Sequence, residues 1–167
     1  MGLTENDVKK VNIKCVQYEP ELCSDRISDS EMARFSENEK KLAYAIATIK
    51  LNFAKEKNIS STKAYEVLAD MCQISVTAFK YAISCTKGHT ANRRFLYKLS
   101  VGLQMEIEEA NELFELENGK LSEHCLEDLI CMCALRDKDN IYDFIEEFEM
   151  RTESKLSLRE RKTDKIK

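Results

Sequence analysis

The sequence predicts an all-α protein, a helical bundle of about seven helices. Two observations of composition and one of pattern lead there. The 167 residues contain one proline and four glycines, too little punctuation for a succession of hairpins. The hydrophobic content of 43% is led by Leu, Ala and Ile, and Leu and Ala in particular sit comfortably in helices. From Ser36 onward, apolar residues recur at helical spacing in one segment after another. A chain of this length can build one sizeable core.

Residues 1–35 read as a partly ordered N-terminal arm, in which "TENDVKKV" could form a short helix while Pro20 and its flanking glutamates favour an extended chain. Ser36 and Glu39 have capping-box spacing and open a helix to about Lys57, with Leu42, Ala45, Ile46, Ile49 and Phe53 on one stripe. Ser60 or Ser61 caps the next helix, with Ala64, Val67, Leu68 and Met71 inward. "QIS" breaks it, Ser75 caps a further helix to about Cys85, and Phe79, Ala82 and Ile83 are its expected buried face. "TKGHT" reads as a loop and Thr90 as the cap of "ANRRFLYKLSVGL", which buries Phe95, Leu96, Leu99 and Leu103. Three more helices are expected at 106–117, 122–136 and 139–152, with Gly119 as a C-cap signal. In the second of these, Leu126, Leu129, Ile130, Cys133 and Leu135 are expected inside. Residues 36–152 thus form a single helical domain, and 153–167 a basic, flexible tail.

Charge is unevenly distributed. The net charge is −4, yet residues 55–100 carry eight Lys or Arg against three acids, whereas 101–150 carry three against fifteen. A basic block beside an acidic one suggests two surfaces with different work.

The basic block contains "LADMCQISVTAFKYAI". Ala69 is small enough for two helices to approach, Ile74 is an apolar plug in the turn, Ser75 is a cap and Phe79 an inward anchor. Residues 61–114 resemble the lambda-repressor/Cro-like (XRE-type) helix-turn-helix family, through Leu68-Ala69, Ile74-Ser75, Gly88 and Leu99…Gly102-Leu103. The resemblance implies a helix-turn-helix at about 61–103 and a partner in double-stranded DNA, engaged by a homodimer on two half-sites. By position, Thr77, Lys80, Tyr81 and Ser84 would face base edges. Lys63, Lys87, His89, Arg93, Arg94 and Lys98 would hold phosphates. Two departures stand out: Gln73 occupies the turn position where the family commonly has glycine, and the recognition helix lacks Arg, Gln and Asn.

Other chemistries find little footing. Seven cysteines is an odd number, and "MGLTENDVKKVN" has no apolar leader segment, so reduced thiols in a cytoplasmic protein are expected. His124, Cys125, Cys131 and Cys133 invite a metal, but on one helix Cys131 and Cys133 point about 200° apart. No phosphate-cradling glycine loop or nucleophile elbow occurs, so neither an enzyme nor a cofactor is expected, and no stretch is apolar enough to span a membrane. The expectation is a sequence-specific transcriptional regulator. The alternative is a non-enzymatic protein-interaction module on a helix-turn-helix scaffold, whose acidic helices 106–150 bind a basic partner.

Overall fold

In the computed structural model, residues 28–84 and 91–156 are described, and they are entirely helical apart from short connections. Seven helices occur among them: α1 (Asp29–Lys57), α2 (Ser61–Cys72), α3 (Val76–Ser84), α4 (Arg93–Gly102), α5 (Ile107–Glu117), α6 (Leu126–Asp137) and α7 (Ile141–Thr152). The chain divides into two units, Met1–Glu37 and Asn38–Lys167. Of the first, the described part is the start of α1; all the rest lies in the second. Most of the expected arm, the TKGHT loop and most of the basic tail lie outside the described residues.

The expected start of α1 moves. Ser36 is not its cap but an interior residue, and the helix opens at Asp29, where Met32 N–H donates to Ser28 O. The boundary expected at residue 35 therefore falls within a helix. Leu42 and Ile46 are buried as the stripe requires, and Ile49 and Phe53 are half-buried against the same core. Asn58 ends α1 in the left-handed region, with Ile59 N–H returning to Ala54 O.

In the second unit α4 is the central helix, packed by α2, α5, α6 and α7. Seven consecutive residues, Phe95 to Val101, are buried. Periodicity predicts one inward stripe for such a helix, but neighbours on every side leave it no wet face. Its cap is Asn92, whose Oδ1 accepts from Phe95 N–H; Thr90, the expected cap, lies outside the described residues. Tyr97 sits among rings from two other helices, 5.5 Å from Phe114 and 5.9 Å from Phe148 between centroids. Ser100, fully buried, donates to Leu96 O and Tyr97 O, so its hydroxyl costs the core little.

At the end of α4, Gly102 lies against α2. A methyl group there would fall 2.7 Å from both Cα and Sγ of Cys72. This close approach rotates α2, so Cys72 and Ala69 join Ala64 and Leu68 inside, while Val67 is half-buried and Met71 exposed. A second correction concerns α6, which starts at Leu126 rather than 122. Asp128, Ile130, Cys131, Ala134 and Leu135 form its inner face, and Leu126 and Leu129 are exposed. Asp128 is the cause: drawn inward to Arg93 and Tyr97, it turns the two leucines to solvent.

Candidate nucleic-acid interface

The turn between α2 and α3 is built from three residues with separate tasks. Gln73 takes the left-handed conformation, φ 53°, without glycine's freedom. Its side chain offsets the strain: Nε2 donates to Asp70 O at 2.7 Å and to the Tyr142 hydroxyl at 3.2 Å, tying the turn to α7. Ile74 is buried, and Ser75 Oγ accepts from Ala78 N–H at 3.1 Å as the α3 cap. Phe79 is buried edge-on against Phe95 at 5.2 Å, which fixes the roll of α3.

With Phe79 and Ala82 inward, Thr77, Lys80, Tyr81 and Ser84 are all exposed. Ser84 Oγ donates to Tyr81 O at the end of the helix. Lys63 is exposed near the start of α2, paired with Glu66 at 3.5 Å. An exposed pair of this kind is worth about 0–1 kcal/mol, so Lys63 can exchange Glu66 for another anion at little cost. Lys87 and His89 lie outside the described residues.

Arg93, Arg94 and Lys98 are placed differently from the sequence expectation. The Arg93 guanidinium grips Asp128 with two hydrogen bonds, Nε to Oδ1 at 2.8 Å and Nη2 to Oδ2 at 2.6 Å. It also donates to Glu117, Gly119 O and Lys120 O, and lies 4.9 Å from the Phe114 ring centroid. All its donor atoms face the protein's own oxygens, leaving none for a phosphate. Arg94 donates to Glu127, Ser154 Oγ and Lys155 O. Lys98 is buried in α4. Arg93 and Arg94 are thus spent on joining α4 to α6, to the 118–122 loop and to the residues just after α7.

Asp128 is the centre of this network. It accepts from Arg93, from the Tyr97 hydroxyl and from Ser122 N–H at 3.0 Å. Burial alone would raise its pKa; the hydrogen bonds from Arg93, Tyr97 and Ser122 outweigh it and hold the carboxyl below its usual value. Burial, with the Asp128 carboxylate beside it, pushes the Tyr97 phenol far up. Among the described residues no buried side-chain polar atom lacks a partner. The network is a structural joint between α4, α6 and the 118–122 loop.

Two of the four described thiols, Cys72 and Cys131, are packed in the core. Burial pushes Cys72 and Cys131 up to about 12. Cys125 is exposed and Cys133 half-buried, and the described residues hold no group of three or more His, Cys, Asp or Glu placed for a metal. No described helix is long and apolar enough to cross a membrane.

Sequence reasoning missed Lys50. It lies on α1, outside the motif, yet its ammonium stands 4.4 Å from the Tyr65 ring centroid of α2 and donates to Ser61 Oγ at 2.8 Å. Lys80 of α3 approaches the same ring, at 5.8 Å. No protein-family model matches the chain, and neither does any curated protein or solved structure.

Proposed function

We propose that the protein is a DNA-binding transcriptional regulator in which α2 and α3 act as a lambda-repressor-like helix-turn-helix and α3 enters the major groove as part of a homodimer. One observation carries the reading. The turn and the Phe79 anchor roll α3 so that Thr77, Lys80, Tyr81 and Ser84 are exposed together, which is the presentation a groove-reading helix needs. With Arg93, Arg94 and Lys98 engaged internally, phosphate contacts fall to cations near α2 and α3. The test is selection of a preferred site from random duplex, followed by affinity measurements on selected and mixed sequences across a salt series. Tyr81→Ala is expected to shrink the preference for the selected site while leaving mixed-duplex affinity nearly unchanged, because base contacts carry the sequence information. Absence of duplex binding at about 50 mM salt, where phosphate contacts are strongest, refutes the proposal.

A second reading is favoured by the engagement of Arg93 and Arg94 with the protein's own oxygens and by the burial of Lys98. It makes the chain a protein-interaction module, with Glu108, Glu109, Glu112 and Glu115 exposed on α5 toward a basic partner. It predicts negligible duplex affinity at any salt, together with loss of a protein complex on Glu108→Lys plus Glu112→Lys.

A further inference from the structure

We infer that Lys50, Tyr65 and Lys80 form a phosphate-holding site for duplex DNA, assembled from three different helices; the inference rests on the DNA-binding reading above. The residues come together from α1, α2 and α3 over one aromatic ring. The ammonium groups stand 4.4 Å and 5.8 Å from the Tyr65 ring centroid. Among the described residues, neither has a carboxylate within 4.0 Å. Two cations drawn to one ring repel each other, and the ring's quadrupole attracts each without cancelling its charge. The arrangement is therefore left with positive charge that an anion would neutralise.

A phosphodiester suits it because several oxygens surround one centre and can meet donors arriving from separate helices. The ring does the positioning. Lysine stems are long and flexible, and ordering them on binding is costly, so ammonium groups already held over Tyr65 lose less freedom when a phosphate arrives. Ser61 Oγ, held by Lys50, adds a hydroxyl at the start of α2, whose first turn contains no acid to repel the anion. Lys80, which the sequence places toward base edges, becomes a backbone contact. Base reading then falls to Thr77, Tyr81 and Ser84. Because α1 supplies one of the two cations, the long helix ahead of the motif takes part in binding.

The experiment is fluorescence anisotropy of the full chain with a labelled mixed-sequence duplex across a salt series, with circular dichroism melting of each variant. Lys50→Gln and Lys80→Gln are each expected to lower the steepness of log K against log salt by about 0.9, and the double variant by about twice that. Lys50→Arg is expected to keep the wild-type slope. Tyr65→Phe, which retains the ring, is expected to keep wild-type affinity, whereas Tyr65→Leu weakens binding several-fold. Should Lys50→Gln fail to fold, Lys80→Gln on the exposed face supplies the same readout. Unchanged slopes in folded lysine variants, with the wild type still preferring its selected site, overturn this site and leave the DNA reading standing. Failure of the wild type to bind either selected or mixed duplex removes both.

Discussion

Replacing Arg93 with methionine keeps much of the side chain's length and removes five hydrogen bonds at once. Asp128, whose side chain is 3% exposed, is left with the Tyr97 hydroxyl and Ser122 N–H as its partners. Breaking a buried ion pair from one side costs roughly 3–5 kcal/mol, because the remaining charge is stranded. The Arg93 and Glu117 side chains are 22% and 20% exposed, so water reaches that edge and the lower figure, about 3 kcal/mol, is expected. That is a large share of the roughly 5–15 kcal/mol that holds a typical domain together. Urea unfolding at pH 7, followed by circular dichroism, measures it, with the midpoint shifting and the slope unchanged. A loss below about 1 kcal/mol would mean the pair is not the joint between α4 and α6. Acid supplies the second arm. A carboxyl held below its unfolded value contributes stability that is fully present above that value and disappears as pH falls through the folded one. The wild type is thus expected to lose this contribution as pH drops below the unfolded value of 3.8, whereas Asp128→Asn, already destabilised, shows no such acid loss.

Three further outcomes are expected. Gly102→Ala forces a methyl group to within 2.7 Å of the Cys72 backbone and costs on the order of 1–3 kcal/mol by thermal or urea unfolding; a neutral result would mean α2 and α4 separate easily. A thiol reagent applied to the native protein labels Cys125 promptly and Cys72 and Cys131 only on unfolding, since the latter two are buried and pushed up to about 12; rapid labelling of Cys72, read by mass spectrometry, would contradict the packing at Gly102. Gln73→Gly relieves the positive φ but removes two side-chain hydrogen bonds, so stability changes by less than about 1 kcal/mol, whereas β-branched Gln73→Val suffers both strain and lost bonds and costs about 2 kcal/mol or more.

Helices were legible wherever cap and stripe coincide. Ser60 and Ser75 each carry the side-chain bond that starts the helix after them, and Leu96 and Leu99 are buried on the face that spacing assigns. The start of α1 was misread because Ser36 and Glu39 have capping spacing inside a helix that had already begun. α6 was misread for a different reason: hydropathy places an aspartate outside and leucines inside, and at Asp128 a partner 35 residues away reverses both. The same distance hid the fate of Arg93 and Arg94. Local sequence marks them as a basic pair, while their carboxylates come from α6 and from the end of α5. The exposed face of α3 was legible because one buried phenylalanine sets it. Lys50 was not, since nothing in α1 signals that its end lies beside Tyr65.

Tyr97 sets a condition on when this chain can fold during its own synthesis. The residues that enclose its ring and phenol arrive in order: Phe114 first, then Asp128, and last Phe148. A nascent chain that has emerged only as far as α5 therefore displays the seven α4 residues that the finished fold buries, with half the neighbours of α4 still inside the ribosome. Such a segment is the kind of exposed surface that draws chaperones or other unfinished chains. α7 works as a closing element: it adds few residues, yet it arrives last and covers the ring, so translation must pass residue 148 before α4 is sheltered.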